Sequence, residues 1–181
     1  MALVEKTGYH GTTEDHARSI LKEKQFITST KDTEWLGRGV YFFKHARHAE
    51  FWAKAECRKS KNIGQQPKVL KASLKCDESQ VFDLDNPANL YSMNDFLKQY
   101  FKRVGATRHV DFDKITNEQK WCLSCNLYRY FHPDIAITIY TFVSLTAKEG
   151  YSGFRTTQTQ LCVSDHKKEI IKTIEEWEGE V

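Results

Sequence analysis

Tyr9-His10-Gly11-Thr12 and Gly37-Arg38-Gly39-Val40-Tyr41-Phe42-Phe43 are the two segments of this chain that carry the clearest chemical information. In the first, a histidine and a glycine stand side by side at the end of a strand-like segment. An imidazole can hydrogen-bond a ligand hydroxyl, and a glycine lets backbone N–H and C=O groups approach a flat amide closely. In the second, Tyr41 lies in a short apolar run and offers an aromatic face for stacking. Each segment therefore carries groups that suit a ligand site.

The elements around the two segments strengthen this prediction. A lone His-Gly pair at a strand end is more often a turn than a ligand site, and Gly-x-Gly alone is a weak signal. Here a helix is predicted from Thr13 to Lys24, with Thr12 as its cap and Asp15 as a first-turn carboxylate. A second helix is predicted after Phe43. Apolar residues recur at helical spacing in the two helices, at Ala17, Ile20 and Leu21 and at Ala46, Ala49, Trp52 and Ala53.

This order of segments resembles the NAD-binding half of the ADP-ribosyltransferase superfamily, in the His-Tyr branch that includes diphtheria toxin and the poly(ADP-ribose) polymerases. The resemblance covers the chain up to the second helix and, more loosely, its last strands. It implies that His10 and Gly11 hold the adenosine ribose and the nicotinamide carboxamide, and that Tyr41 stacks on the nicotinamide ring. NAD is therefore the implied co-substrate. The predicted NAD-binding residues are His10, Gly11, Thr12, Ser29, Arg38, Gly39 and Tyr41.

Two members of this set have alternative roles. Arg38 lies between two glycines, where the family often carries Lys or Arg, and its guanidinium can pair with the pyrophosphate of NAD or with a surface carboxylate. Ser29 and Thr30 precede the same segment and can cap it or contact the nicotinamide ribose.

The third catalytic position departs from the family. Its members usually carry a Glu at the start of a late strand, in a context like Glu-x-x-Val-x-Asp, and the matching segment here is Gln160-Leu161-Cys162-Val163-Ser164-Asp165. In the family this carboxylate hydrogen-bonds the 2′-hydroxyl of the nicotinamide ribose, favours the oxocarbenium-like state and helps to deprotonate the acceptor. A glutamine can still orient the ribose, but it has no charge and no basic oxygen. The predicted catalytic residues are Gln160, Tyr41 and His10.

Gln160 leaves three outcomes open. An Asp or Glu from elsewhere in the chain supplies the missing charge, although spacing nominates none. Alternatively, the acceptor is nucleophilic enough that positioning suffices, since orientation alone can contribute on the order of 7–11 kcal/mol. In the third outcome the protein binds NAD or ADP-ribose without transferring it.

Gln158 favours the second of these outcomes. Two residues before the third catalytic position, relatives often use a Gln or Glu to orient the acceptor, and a side-chain amide can pair with an amide or with the edge of a base. Gln158 and Gln160 also fit two polar positions on an edge strand.

Composition bounds the remaining possibilities. The 181 residues, 40% hydrophobic and 28% charged, predict a single domain spanning 1–181. The sequence has no apolar run of membrane-spanning length and no signal peptide pattern, so we expect a cytoplasmic protein without a membrane partner. The five cysteines are odd in number and scattered, which is typical of reduced thiols. Cys122-x-x-Cys125 is predicted to be two thiols rather than a zinc or redox pair, and no metal is assigned.

The rest of the chain alternates between strand and helix patterns. Strands are predicted for four segments, by alternation in Lys68–Lys75 and by residue type in Ile135–Val143 and Gln160–Val163, with Val81–Leu84 as a further candidate. A helical insertion is predicted at about 92–131, beginning at Ser92, and the tail from Ile170 to Trp177 fits both a helix and a strand. The fold class is therefore α+β. The resemblance implies a mostly antiparallel core of two short sheets split by a cleft, with helices outside.

Charge gives a weaker indication of partners. A net charge of +3 is too mild to indicate nucleic acid by itself. Three local segments are more basic, at 44–48, 58–61 and 98–109, and the last carries Tyr100 and Phe101 between its charges. A solvated surface is one interpretation. The other is a single-stranded nucleic acid, whose bases stack on aromatic rings while its phosphates pair with the cations.

We therefore expect an NAD-dependent mono-ADP-ribosyltransferase of the small toxin or defence type, which transfers ADP-ribose to a macromolecular acceptor. The basic segments and the two glutamines favour a nucleobase in RNA or DNA as acceptor. The alternatives are a protein-modifying transferase, an NAD glycohydrolase and a non-catalytic module that binds NAD or ADP-ribose. A free toxin would also imply a neutralising antitoxin protein as a partner.

Overall fold

The computed structural model describes residues 2–105, 114–143 and 156–179. Its elements follow in the order β1 (Leu3–Thr13), α1 (Glu14–Glu23), β2 (Gly39–Phe43), α2 (Ala46–Cys57), β3 (Pro67–Asp77), β4 (Val81–Asp83), α3 (Pro87–Gly105), α4 (Asn117–Phe131), β5 (Ile137–Val143), β6 (Thr157–Ser164) and β7 (Ile171–Glu176). The α+β class is confirmed. Strands are also confirmed in the four predicted segments: Lys68–Lys75 and Gln160–Val163 lie within β3 and β6, whereas β4 and β5 are one and two residues shorter than Val81–Leu84 and Ile135–Val143. Within the described ranges, no helix combines the length and the apolar character needed to cross a bilayer.

The strands form one seven-stranded sheet in the order β4-β5-β6-β2-β1-β3-β7, antiparallel except for the parallel pair β4–β5. The expected core of two sheets is thus a single sheet with a narrow junction. β1 and β2 are in register at one residue pair, Tyr9 with Phe43, whereas β3 pairs with β1 over its whole length. Beyond that pair the two strands separate, and a gap opens between them.

Helices cover both faces of this sheet. α1 packs on one face through Ala17 and Ile20. α2 packs on the other face through Ala49, next to Phe43. α3 and α4 build a second, aromatic-rich core against which Tyr41 packs. Since Tyr41 and Phe43 point to the same face of β2, α2 and the α3–α4 pair flank the β1–β2 junction on that face.

The start of α1 differs from its prediction. The helix begins at Glu14, and Thr13 precedes it in extended backbone without a side-chain cap. Instead, the side-chain oxygen of Gln65 accepts a hydrogen bond from the backbone N–H of Asp15 at 3.2 Å. The predicted cap at Thr12 is wrong, because this residue still belongs to β1 and a distant loop satisfies the first turn of the helix.

The helical insertion begins earlier than the expected Ser92. α3 starts at Pro87. Proline lacks a backbone N–H, which costs no hydrogen bond here because first-turn N–H groups have no partner within the helix. The side-chain oxygen of Asn86 accepts a hydrogen bond from the backbone N–H of Ala88 at 3.0 Å. Within the predicted insertion, 106–113 lies outside the described residues. The tail that fitted both a helix and a strand forms β7, which pairs with β3.

Candidate functional site

A cavity of about 410 Å³ opens where β1 and β2 separate. The ends of these two strands line it, together with β6, α2 and the loop between α1 and β2 (24–38), here called the α1–β2 loop. Eight of the nine predicted site residues lie around it, namely His10, Gly11, Thr12, Ser29, Gly39, Tyr41, Gln158 and Gln160. The ninth, Arg38, does not line this cavity. The structure thus brings eight residues from four separate segments of the chain to one place.

His10 is fixed by a contact across the junction. Its Nδ1 lies 2.8 Å from the carbonyl oxygen of Tyr41, and its ring packs edge-on against Phe26 and Phe42. Burial lowers the pKa of His10; the hydrogen bond to Tyr41 acts in the opposite direction, and the nearby His16 lowers the pKa further. A carbonyl only accepts, so the neutral ring carries its proton on Nδ1. Nε2 is therefore left as an acceptor for a ligand hydroxyl.

Gly11 has a packing role that the sequence did not reveal. A Cβ at this position would lie 2.0 Å from the carbonyl oxygen of Ala49 and 3.0 Å from the backbone nitrogen of Ala53, both on α2. The glycine thus allows the helix to approach β1 closely, in addition to leaving its own backbone at the cavity wall. The next residue, Thr12, is buried in that wall.

The Tyr41 side chain is anchored by its hydroxyl. The hydroxyl oxygen accepts from the backbone N–H of Leu36 at 2.9 Å and donates to the carbonyl oxygen of Gly37 at 2.6 Å. Burial, reinforced by the neighbouring Cys162 thiol, raises the pKa of Tyr41 well above its usual range, so the hydroxyl stays protonated and remains a donor. The anchored end fastens the α1–β2 loop, while the ring lines the cavity.

Tyr41→Phe is expected to lower the free energy of unfolding by about 1–3 kcal/mol, because it leaves the buried Leu36 N–H and the Gly37 carbonyl without their partner. Urea denaturation followed by circular dichroism measures this change. Tyr140→Phe is the matched control, since the Tyr140 hydroxyl forms no hydrogen bond within the described residues, and it should change stability by less than about 0.5 kcal/mol. Wild-type stability of Tyr41→Phe would show that the hydroxyl does not hold the loop.

Gln158 and Gln160 lie on one face of β6 and line the cavity. β6 is an inner strand between β5 and β2, so the alternative of two polar positions on an edge strand is wrong. Gln158 lies opposite Phe142 of β5, and Gln160 lies opposite Tyr140 of β5 and Phe43 of β2. Neither glutamine side chain forms a hydrogen bond within the described part of the chain. Their amides are therefore available to a ligand.

Aromatic rings surround the two glutamines on the β5 side. The ring centre of Phe142 lies 4.5 Å from that of Trp35 and 4.8 Å from that of Tyr140. Trp35 lines the cavity. The ring centre of Trp121 on α4 lies 5.9 Å from that of Trp35, and Trp121 is 40% exposed. We call Trp35, Trp121, Tyr140 and Phe142 the aromatic shelf. It places flat apolar surface beside the side-chain amides.

Arg38 lies in a second groove, which is lined by Arg129 and Tyr130 among others. Its backbone N–H donates to the side-chain oxygen of Asn126 at 2.8 Å, and Nη2 of the buried Arg129 donates to its carbonyl oxygen at 2.7 Å. These bonds fix the Arg38 backbone against α4. The pyrophosphate contact predicted for Arg38 is thus not at the cavity where the other predicted residues meet.

Several charged residues that we did not assign to the pocket complete its wall. They are His16, Lys31, Glu34, Glu56 and Lys59. The hydroxyl of Ser29, one of the predicted residues, donates to the carboxylate of Glu34. Lys59 forms an ion pair with Glu56 at the end of α2. No periodic pattern marks a loop residue such as Glu34, so only its place in the fold reveals it.

Cys122 and Cys125 fasten the α1–β2 loop to α4. The Cys122 sulfur donates to the carbonyl oxygen of Lys31 at 3.5 Å, and the Cys125 sulfur to that of Trp35 at 4.0 Å. Burial raises the pKa of both thiols, that of Cys125 to about 12, so both remain protonated donors. Among the residues that the structure describes, all five cysteines are free, and no group of three or more His, Cys, Asp or Glu side chains could hold a metal.

The aromatic residues of the basic 98–109 segment take part in helix packing. The Tyr100 ring lies 6.1 Å from Phe96 and 5.6 Å from Phe131, and Phe101 packs against the second core. Residues 106–109 lie outside the described ranges. The 58–61 segment, in contrast, follows α2, and its Lys59 lines the cavity.

Comparisons with known proteins yield a partial similarity. No family model matches the chain, and no solved structure matches it. An uncharacterized protein of Methanocaldococcus jannaschii is 34% identical over 84 residues, which are 46% of this chain and 39% of that protein. The chain therefore spans well under half the length of the relative it matches.

Proposed function

We propose that this protein is an NAD-dependent mono-ADP-ribosyltransferase that transfers ADP-ribose to a nucleobase in RNA or DNA. The observation that carries the proposal is the convergence of His10, Gly11, Tyr41 and Gln160 on one cavity. In the ADP-ribosyltransferases that the sequence resembles, the matching positions bind NAD and act on it. The contact between His10 and the Tyr41 carbonyl joins the two sides of this set across the β1–β2 junction.

The cavity suits NAD in size and in chemistry. Small-molecule sites usually measure about 300–1,000 Å³, a range that includes this one. The Tyr41 ring offers a stacking face for nicotinamide, and Nε2 of His10 accepts a ribose hydroxyl. Lys31 supplies a positive charge for the pyrophosphate in place of Arg38. Both side chains are positively charged, but of the two only Lys31 lines the cavity.

The acceptor side favours a base. The Gln158 amide has a donor and an acceptor to offer to a base edge, and the aromatic shelf lies beside it on β5. Stacking of a base on an aromatic side chain contributes about 1–3 kcal/mol. Transfer of a single ADP-ribose agrees with Gln160, because the relatives that build polymers use a glutamate at that position.

Incubation of the full chain with NAD labelled at the adenylate phosphate tests the proposal, with single-stranded RNA, single-stranded DNA or cell protein supplied separately. We expect label on nucleic acid and an equal amount of released nicotinamide. Label on protein alone would make this a protein-modifying enzyme. Free ADP-ribose without labelled polymer would indicate a glycohydrolase, and NAD binding without nicotinamide release a binding module. Each of these three results would overturn the proposal.

Replacing Arg58 and Lys61 with serine is expected to weaken binding of single-stranded RNA and leave NAD affinity unchanged. Both side chains are exposed and close in sequence to Lys59, which lines the cavity, but neither of them lines it. Removing two phosphate contacts should reduce the slope of log affinity against log salt by about 1.4. Fluorescence anisotropy across a salt series measures the slope, and calorimetry measures the NAD affinity.

Arg18 and Lys22 on α1 provide the control for this pair. They lie on the helix that covers the other face of the sheet, and the same double replacement with serine should leave the salt slope unchanged. Equal slopes for wild type and the Arg58 and Lys61 variant would contradict a nucleic-acid path along the 58–61 segment.

A further inference from the structure

Glu34 places a carboxylate in a cavity whose third catalytic position lacks one. The neutral amide of Gln160 cannot offset the positive charge that develops on the ribose as nicotinamide leaves. We propose that Glu34 is the catalytic carboxylate of the transfer and takes over the charge and base functions that position 160 has given up. This inference rests on the proposed transferase function and deepens it.

Two carboxylates among the described residues line the cavity, and their partners differ. Glu56 is neutralised by its ion pair with Lys59. Glu34 forms no ion pair within the described ranges, and only its Oε1 is engaged there, by the Ser29 hydroxyl. A partly buried carboxylate with one oxygen held and the other available can stabilise an adjacent cation or accept a proton.

Glu34 is also linked to other residues of the cavity wall. Burial is the main reason for the raised pKa of Tyr41, and the negative charge of Glu34 contributes to it. Ser29, which holds the carboxylate, is bridged to Gly39 at the start of β2 by two backbone hydrogen bonds of 2.9 and 3.1 Å. The carboxylate is thus tied to the strand that carries the stacking ring.

The backbone around Glu34 is anchored on both sides. Its carbonyl oxygen accepts from the N–H of Gly37 at 3.0 Å, which closes a turn, and the Tyr41 hydroxyl bonds the same turn at Leu36 and Gly37. The thiols of α4 hold the loop at residues 31 and 35. A charge that is fixed before the reaction needs little reorganisation when the transition state forms, and this is the main source of electrostatic catalysis.

The proposed step balances without another reactant. The bond between the nicotinamide nitrogen and ribose C1′ breaks, and its electron pair leaves with nicotinamide, which becomes neutral. The ribose is left as an oxocarbenium cation, and the Glu34 carboxylate offsets its charge. A nitrogen lone pair of the acceptor base attacks C1′ and forms the new glycosidic bond, and the proton released from that nitrogen passes to Glu34. Gln160 holds the 2′-hydroxyl of the ribose during this exchange.

Glu34→Gln tests this assignment, because it removes the charge and keeps an oxygen that can accept from Ser29. We expect kcat for nicotinamide release with single-stranded RNA to fall on the order of a hundredfold or more, with little change in KM for NAD. Asp32→Asn is the matched control. It removes a carboxylate from the same loop, does not line the cavity and keeps an acceptor for its bond from Gln119, so wild-type kinetics are expected.

Two further variants keep the test decisive. Glu34→Gln combined with Gln160→Glu returns a carboxylate to the cavity from β6, and turnover should recover relative to Glu34→Gln alone. Glu34→Asp keeps the charge and shortens its reach, so its turnover should lie between those of wild type and Glu34→Gln. If thermal melts show that Glu34→Gln is misfolded, the turnover of Glu34→Asp still tests the assignment.

The failure of this inference differs from the failure of the proposed function. If wild type transfers label to single-stranded nucleic acid with release of nicotinamide, and Glu34→Gln does so at the same rate, Glu34 is not the catalytic carboxylate and the transferase proposal stands. If wild type releases no nicotinamide with any acceptor, the transferase function is overturned and the role of Glu34 with it.

Discussion

Gln160→Ala is expected to lower kcat for nicotinamide release about a hundredfold or more, which is the effect of losing one oriented contact in a transition state. We infer that the amide holds the 2′-hydroxyl of the ribose while the charge develops on C1′. The Kd of NAD should change far less, because the contacts proposed for His10 and Tyr41 with NAD do not involve Gln160. Nicotinamide release at saturating NAD gives kcat, and calorimetry gives the Kd.

Two variants serve as references for this result. Thr159→Ala alters the neighbouring residue of β6, whose side chain points to the opposite face, and should keep wild-type turnover. Gln160→Glu should keep or raise NAD cleavage and increase hydrolysis to free ADP-ribose, since a second carboxylate favours the oxocarbenium ion and can activate water. An unchanged kcat in Gln160→Ala would exclude this residue from the chemistry. A parallel loss of kcat and NAD affinity would reduce it to a binding residue.

Gly11→Ala is expected to lower the free energy of unfolding by more than about 3 kcal/mol, above the usual range for an overpacked core. The new Cβ would meet backbone atoms of α2, the carbonyl oxygen of Ala49 at 2.0 Å and the nitrogen of Ala53 at 3.0 Å, and these cannot rotate away as a side chain can. The helix would have to move off β1 and would take Trp52, a residue of the cavity wall, with it. Urea denaturation measures the loss.

Gly64→Ala separates this packing effect from the ordinary cost of replacing a glycine. Gly64 has a φ of +87° and open space around it, so alanine there meets only the strain of left-handed backbone, about 1–2 kcal/mol. Gly11 is not among the positive-φ residues of the described chain. Similar small losses for both variants would show that α2 does not pack on β1 as closely as the structure has it.

Regular elements could be predicted because their periodicity is local. In β6, the residue types of Gln160–Val163 predicted a strand without knowledge of its neighbours. Most of the predicted residues that line the cavity, such as His10, likewise belong to strands, whereas Ser29 lies in the α1–β2 loop. Which strands pair, and that β6 is an inner strand, depend on contacts between distant segments and could not be obtained from the pattern.

The α1–β2 loop escaped prediction for a physical reason. Arg38 is the neighbour of Gly39 in sequence, yet Gly37 adopts a φ of +81° and α4 holds the Arg38 backbone, so the two residues lie at different grooves. Glu34 reaches the cavity only because Tyr41 and the helix thiols fix its loop from outside. These contacts join residues far apart in the chain, and no local rule encodes them.

The single residue pair between β1 and β2 couples ligand occupancy to the integrity of the fold. Few main-chain hydrogen bonds cross the β1–β2 junction, so the protein can open locally there at a low cost in free energy. His10 and Tyr41 line the cavity from the two strands. A ligand that contacted both residues would stabilise the closed arrangement by mass action, by about 2.7 kcal/mol at a hundred times its Kd. By the same linkage, any substitution that favours opening of the β1–β2 junction should lower the affinity for such a ligand, even from a position that the ligand does not contact.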